Sequence, residues 1–296
     1  MSIQLTGHIL SQRELADHTY CLRVHAPELA RVITPGQFFM IRPADGNDPL
    51  LGRPFAIYDV IRNDAGEPTA IEFVYHTIGK LTDLMSSWSG GEQVALWGPL
   101  GNGFPLPDCE HLLCVGGGIG YTPFPAVLRE ALGHAKFGSP VRGDGGSTID
   151  RATFCYGARN AAQRADLEGL DQLSNLDIEI ATDDGSQGHH GFVTDLVREL
   201  LRKTGSDRPD AVYCCGPEPM MRAVASLCAE HSVDCWLSLE TPMACGFGAC
   251  FSCVTKVKTD DGWDYRRTCV EGPIFKATDL DLESVDSRGT VSCSPA

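Results

Sequence analysis

Four cysteines set the tightest constraint on how this chain can fold. Cys245, Cys250 and Cys253 follow one another as C-x4-C-x2-C, and Cys269 stands beyond a further x15 interval. Gly246 and Gly248 fall inside the first interval. Plant-type [2Fe–2S] clusters are held by this spacing plus a distant fourth thiolate. The loop must wrap closely enough for backbone N–H groups to face the sulfides, and glycine permits both that approach and the dihedrals it requires. A structural zinc site is the alternative. Zinc modules present two CxxC or histidine knuckles, and here only Cys250 and Cys253 make one, so the spacing favours iron–sulfur.

An iron–sulfur loop needs something to exchange electrons with, and 296 residues leave room for two or three domains. Hydrophobic residues make up 43% and charged residues 21%, the balance of an ordinary soluble globular protein. A net charge of −15 argues against nucleic acid and anionic membranes as partners. No apolar run approaches the roughly 20 residues of a membrane span, and residues 1–17 lack the basic and apolar regions of a secretory signal. The 13 cysteines are therefore read as reduced buried thiols plus metal ligands, with the cytoplasm as the expected compartment.

Over the first hundred residues, short strands are predicted at 20–24, 37–41, 55–61, 70–75 and 93–97, with turns at Pro35-Gly36, Asp45-Gly46 and 63–66. Closely spaced strands suggest a small antiparallel barrel, interrupted by a helix over 80–88. Arg53, Pro54, Phe55, Ala56 and Ile57 put a cation at the mouth of a strand. Gly79, Lys80 and Thr82 open the helix, where free N–H groups favour a phosphate. Cation and helix start together make a pyrophosphate clamp, and a strand edge can offer donors to a flat ring.

From residue 111 onward strands alternate with helices, which implies a parallel sheet with ligands at the carboxyl ends of its strands. The apolar run 111–115 leads into Gly116, Gly117, Gly118, Ile119 and Gly120, then Thr122 as N-cap and Pro123 as the first helical residue of 124–132. Strand, glycine turn and helix start form a diphosphate-binding turn. The last position of G-x-G-x-x-G is Tyr121, so the turn departs from the Rossmann fingerprint. Further strands are expected at 152–156, 176–181 and 211–215, with helices near 161–167, at 193–202 and from Pro219 to His231. The ligand-facing loops are then 116–122, 182–186 and 215–221. Cys215 either lines a hydride-transfer site or is one more buried thiol, and ring contact is favoured. His189 and His190 read as a solvated loop. The segment 133–150 and the acidic stretch from Ala277 onward look dispensable, with Cys293 a bystander.

Taken in chain order, these pieces resemble the electron-transfer subunit of the two-subunit, NAD-dependent dihydroorotate dehydrogenase, within the ferredoxin–NADP⁺ reductase superfamily. The likeness covers roughly residues 5–275 and is most specific over 237–253 and in Cys269-Val270-Glu271-Gly272-Pro273-Ile274-Phe275. It implies an FAD-binding β-barrel domain at 1–104, an NAD-binding α/β domain at 105–236, a [2Fe–2S] lobe at 237–276 and a tail at 277–296. Arg53-Pro54-Phe55-Ala56 would serve FAD, residues 116–120 NAD, and Cys215, Gly216, Pro217 and Met220 would lie beside the nicotinamide. Val74, Tyr75 and His76, and Glu240 ahead of the cluster loop, join the implied cofactor-binding set. Cys245, Cys250, Cys253 and Cys269 would hold the cluster. Two departures stand out: Ala56 where the family often has Ser, and Gly-Lys-Leu-Thr where it more usually has Gly-x-Gly-Thr.

The resemblance implies a mechanism. Nicotinamide exchanges electron pairs and a [2Fe–2S] cluster single electrons, so a flavin must stand between them. A flavin-dependent partner subunit would oxidise dihydroorotate and pass electrons through the cluster lobe, which becomes the docking face. Asp183 and Asp184 would repel a 2′-phosphate, favouring NAD over NADP. Two other readings remain: the same module serving a hydrogenase, a glutamate synthase-like enzyme or a ferredoxin, and a zinc-bearing redox or NAD sensor.

Overall fold

The computed structural model describes residues 2–143, 149–167 and 169–282. Strand β1 (Ile3–Ala16) is the longest element of the N-terminal half, and it pairs antiparallel with both β2 (Thr19–His25) and a later strand, β7 (Gln93–Leu100). It was not among the predicted strands. Most of its side chains are exposed or half-buried, so its sequence carries many polar residues and no apolar run.

After helix α1 (Pro27–Val32), strand β3 (Phe38–Pro43) pairs with β4 (Arg53–Ala56) and β7. The single strand expected over 55–61 is two, β4 and β5 (Asp59–Arg62). Ile57 N–H donates to Gln37 O at 3.1 Å, while the next amide, Tyr58, donates to Glu72 O at 2.8 Å on β6 (Pro68–His76). The chain thus steps from one edge of the sheet to the other, and that step curls the sheet, ordered β4-β3-β7-β1-β2-β6-β5, around a core of Phe39, Phe73, Tyr75 and Leu96. Phe55 of β4 lies over Phe73 of β6 with ring centroids 4.8 Å apart. Helix α2 (Lys80–Met85) stops three residues short of the predicted end.

The second sheet runs β11-β10-β9-β8-β12-β13-β16: His189–His190, Leu176–Thr182, Arg151–Ala158, His111–Gly117, Ala211–Cys215, Asp234–Ser238 and Ile274–Lys276. All its pairings are parallel except β13 with β16. β8 is buried along its whole length, as a central parallel strand must be. Helix α3 (Phe124–Ala131) packs on one face, α4 (Val193–Leu201) and α5 (Glu218–Glu230) on the other. A 3-10 turn at Gly118–Tyr121 already winds the chain before α3, so Pro123, not Thr122, occupies the N-cap and no side chain caps it. The helix expected near 161–167 is one 3-10 turn, Ala161–Gln163. Its backbone is committed elsewhere: Ala161 N–H to Ser186 Oγ at 2.8 Å, Ala165 N–H to Tyr156 Oη at 3.2 Å, Asp166 N–H to Leu15 O at 3.1 Å.

The hairpin β14 (Val254–Thr259) and β15 (Gly262–Arg267) completes the C-terminal part. Each of the two stretches expected to be dispensable carries anchored residues. Phe137 is buried in the first sheet's core, Arg142 pairs with Glu130 and donates to Phe104 O at 2.7 Å, and Leu280 is buried and bridged to Val257. Cys293 lies outside the described residues.

Candidate functional site

The two sheets meet along a seam, where Tyr58 and Val74 of the first share one buried cluster with Tyr121 and Tyr156 of the second. On the barrel side, Arg53 is exposed at the start of edge strand β4, its Nη1 donating to the Leu51 and Gly52 carbonyls at 3.0 and 3.1 Å. Phe55 and Ala56 are half-buried beside it, whereas Ile57, Val74 and Tyr75 have buried side chains. Tyr75 Oη donates to Gln12 Oε1 at 2.7 Å inside the barrel. His76, half-buried, has Nδ1 3.1 Å from Thr19 Oγ1. At the start of α2, Thr82 Oγ1 accepts the Ile78 and Gly79 N–H groups at 3.0 and 3.1 Å and donates to Gly79 O at 2.9 Å. Thr82 thus shapes the loop from within. Lys80 is exposed and ion-paired with Asp48.

Across the seam, the glycine turn after β8 is locked against the loop after β12. Gly116 and Cys215 are register partners. A Cβ on Gly117 would sit 2.5 Å from Met220 Sδ and 2.9 Å from Pro217 Cδ; one on Gly120 would sit 2.5 Å from both Cys215 O and Gly216 Cα. These two glycines serve loop-to-loop packing. Gly118 differs: its φ is +53° and nothing lies within 4 Å of its missing Cβ, so it leaves open backbone for a ligand. Ile119 is exposed beside it, and Thr122 and Pro123 are buried under it. Cys215 is half-buried next to Ser238, its partner on β13, and burial pushes its thiol up to about 12. A neutral thiol suits contact with a ring, not nucleophilic attack. Glu240 follows, exposed, two residues beyond β13. Asp184 is exposed in the loop between β10 and β11, where Ser186 donates its hydroxyl at 2.6 Å and its N–H at 2.9 Å and holds the carboxyl below its ordinary range.

Tyr58 of the barrel and Tyr121 of the glycine turn face each other across the seam, with ring centroids 6.1 Å apart and interplanar angle 77°. Both are buried, and neither hydroxyl has a hydrogen-bond partner. Buried hydroxyls left over at a seam fit a site that a ligand completes. Below them Glu72 binds Arg13 and Arg23 at 2.8 Å each, and Asp59 of β5 joins Arg129 of α3 at 2.7 Å, tying barrel to sheet. Burial opposes ionisation of Glu72, but the two guanidinium groups outweigh it and hold the carboxyl below its usual range.

The four expected ligand cysteines stand as two adjoining pairs. Cys253 and Cys269 are buried, with sulfurs 3.1 Å apart. Cys250 is exposed and in sulfur contact with the half-buried Cys245. Among the described residues no three His, Cys, Asp or Glu side chains are gathered to hold a single metal ion; two pairs of thiols are the donor set a two-iron cluster asks for. The loop bends tightly, with Gly246, Gly248 and Phe251 at φ +79°, +89° and +57°. A Cβ on Gly246 would sit 2.6 Å from Met40 Cγ, and one on Gly248 2.7 Å from Val270 Cγ2. Hydrogen bonds from the Ser252 hydroxyl first, then from backbone amides, draw the Cys250 thiol down to about 6, while burial pushes Cys269 up to about 12.

This lobe rests directly on the barrel. Trp97 Nε1 of β7 donates to Cys245 O at 2.9 Å, and Phe38 and Met40 of β3 pack with Cys253 and Cys269. β3, on which the buried cysteine pair packs, is the hydrogen-bonded neighbour of β4, which begins with Arg53. Asn102 clamps the chain beyond Cys269, donating to Ile274 O at 2.7 Å and accepting Ile274 N–H at 2.9 Å. Trp97, Met40 and Asn102 were not anticipated, since a single tryptophan, methionine or asparagine 140 or more residues upstream carries no periodic or motif signal. Tyr121 stands in the sequence pattern only as a break in G-x-G-x-x-G.

Two family models match the chain. Residues 240–281 match the iron-sulfur cluster binding domain of dihydroorotate dehydrogenase B, and residues 114–226 match the oxidoreductase NAD-binding domain. The chain is 34% identical over 279 residues to the dihydroorotate dehydrogenase B (NAD(+)) electron transfer subunit of Desulforamulus reducens, covering 93% of this chain and 97% of the relative. It is 36% identical over 277 residues to the subunit of that name from Bacillus caldolyticus, covering 93% and 97%. Among solved structures, an NADH-dependent reduced ferredoxin-NADP oxidoreductase shares the fold at TM-score 0.75 and 24% identity, over 94% of this chain and 90% of that one. A ferredoxin NADP+ reductase from Neisseria gonorrhoeae with bound FAD and NADP does so at TM-score 0.58 and 15% identity, over 77% and 91%.

Proposed function

The chain belongs to the family of dihydroorotate dehydrogenase B electron transfer subunits, and on that premise we propose that residues 1–104 hold FAD, 105–236 NAD and 237–276 a [2Fe–2S] cluster. The protein is an oxidoreductase subunit that moves electrons between a catalytic dihydroorotate dehydrogenase partner and NAD, in the service of pyrimidine biosynthesis. FAD, when bound, supplies the exchange between electron pairs and single electrons, the cluster the one-electron leg and NAD the hydride leg.

One observation carries the reading: the buried cysteine pair packs on β3, the neighbour of β4, while the loops after β8 and β12 pack against each other in the second sheet. Adjacent strands lie about 4.8 Å apart, so the buried cysteine pair packs on the strand next to the proposed flavin strand. Cys245 and Cys250 would bind the outer iron, Cys253 and Cys269 the inner one. Arg53 and the first amides of α2 would take the pyrophosphate of FAD, with Thr82 fixing the loop and the Val74, Tyr75 and His76 backbone meeting the ring. Gly118 would admit the nucleotide diphosphate, and Cys215, Gly216, Pro217 and Met220 would border the nicotinamide. Asp184, an exposed carboxylate, would disfavour a 2′-phosphate. No side chain here acts as acid, base or nucleophile. The residues position cofactors and exclude water. The partner docks at the cluster lobe, where Phe247 and Phe251 are exposed beside Cys250. We place the chain in the cytoplasm, where thiols stay reduced: Cys114, Cys155, Cys214 and Cys235 are buried outside any disulfide. None of the described helices is long and apolar enough to cross a membrane.

The test is reconstitution. Purified chain should carry flavin, two irons and two acid-labile sulfides per FAD. Added to a flavoprotein that oxidises dihydroorotate, it should confer NAD⁺ reduction. Colourless protein with stoichiometric zinc, or a loaded chain that confers no NAD⁺ reduction, refutes the reading.

A further inference from the structure

Ser252 sits between two cluster cysteines and is not itself a ligand. Its oxygen has two neighbours. The Ala244 N–H donates to Oγ at 3.3 Å, and Oγ lies 3.1 Å from Cys250 Sγ. With a lone pair engaged by Ala244, the hydroxyl proton is free to point at sulfur. A metal-bound cysteine is a thiolate and has no proton to give, so in this pair the serine must donate. The inner pair is treated differently: Thr268 Oγ1 donates to the Cys253 carbonyl at 3.1 Å rather than to a sulfur.

One-electron reduction adds a negative charge to the thiolate–iron unit and moves no proton. A donor aimed at a ligand sulfur therefore stabilises the reduced state more than the oxidised one, and hydrogen bonds to the sulfurs are among the determinants of cluster potential. Cys250 is the exposed ligand, so its sulfur otherwise relies on solvent for this stabilisation.

We infer that Ser252 is a positioning residue for electron transfer: oriented by the Ala244 amide, its hydroxyl donates to the Cys250 sulfur and raises the cluster's reduction potential. This rests on the assignment of Cys245, Cys250, Cys253 and Cys269 as [2Fe–2S] ligands. The potential thereby decides how readily an electron pauses on the cluster between the partner and FAD.

The experiment is an anaerobic redox titration of the full-length, cofactor-loaded chain, followed by EPR of the reduced cluster, for wild type, Ser252→Ala and Ser252→Thr. Loss of the hydroxyl should lower the one-electron reduction equilibrium about tenfold, a shift of about 59 mV. Ser252→Thr should return to within threefold of wild type, with iron and sulfide content unchanged throughout. Should Ser252→Ala load poorly, Ser252→Thr and Ser252→Val share a shape and differ in the hydroxyl alone, and valine should fall about tenfold below threonine. Fully loaded variants lacking the hydroxyl, with potentials within twofold of wild type, overturn the role of Ser252. A wild-type chain without iron and sulfide instead overturns the cluster assignment beneath it.

Discussion

Gly120→Ala isolates the contact between the two loops that border the proposed nicotinamide site. The new Cβ would lie 2.5 Å from Cys215 O and 2.5 Å from Gly216 Cα, both backbone atoms that no rotamer change can move. Ordinary carbon contact begins near 3.5 Å, so the glycine turn and the Cys215 loop must part by about 1 Å. Overpacking of this kind costs about 1–3 kcal/mol of stability. The catalytic cost is larger in proportion, because a misplacement of about 1 Å at a reacting centre can cost about 100-fold. The assay is NADH-dependent reduction of a dye, with flavin and iron content measured in parallel. We expect kcat/KM to fall about 100-fold while FAD and cluster remain near wild-type levels, since the atoms that meet the new Cβ belong to the Cys215 loop and not to the barrel or the lobe. Gly118→Ala is the counterpart. Its Cβ meets nothing within 4 Å, though its φ of +53° is left-handed, so folding should lose only about 1–2 kcal/mol. A Gly120→Ala protein with wild-type kcat/KM and unchanged unfolding midpoint would refute the loop contact.

Cys250→Ser should abolish electron transfer from the dihydroorotate-oxidising partner yet leave NADH-dependent dye reduction within about twofold of wild type; loss of both in stopped-flow assays would show that flavin and cluster do not act as separate units. The folded-state pKa of Glu72 is depressed, so its contribution is complete above its ordinary value near 4.5 and is lost as pH falls through the lower folded value. Glu72→Gln should therefore lower stability at neutral pH by about 1–2 kcal/mol, discounted for the partly exposed arginines. Its Tm should also fall less steeply than that of wild type below about pH 5. Leu280→Ala, at a side chain 2% exposed, should cost about 2–3 kcal/mol in urea unfolding, whereas a dispensable tail would give no change.

Local signals were enough to name the cofactors. The cysteine spacing, the glycine turn after an apolar strand and the Arg53 segment each require only neighbours in sequence, because backbone dihedrals and ligand spacing are local properties. Those signals ran out where a residue's partner is distant. The break between β4 and β5 follows from Gln37 and Glu72 competing for consecutive amides. The helix expected near 161–167 is reduced to a turn because its N–H groups find Ser186, Tyr156 and Leu15. Leu280 and Phe137 looked expendable in polar surroundings, yet each fills a gap in a core built by other segments.

By itself, then, the sequence determined the cofactor set and the order of the parts along the chain: which residue types can ligate iron, approach a diphosphate or start a helix is intrinsic to them. Only the tertiary structure decided how the parts adjoin. It set Cys253 and Cys269 on β3 as a buried pair, left Cys250 exposed beside the half-buried Cys245, and gave Gly117 and Gly120 to loop packing while leaving Gly118 open. It also turned Ser252, an unremarked residue of the cysteine loop, toward the exposed sulfur. Such choices depend on excluded volume and on hydrogen bonds between residues far apart in sequence, and no local pattern encodes them.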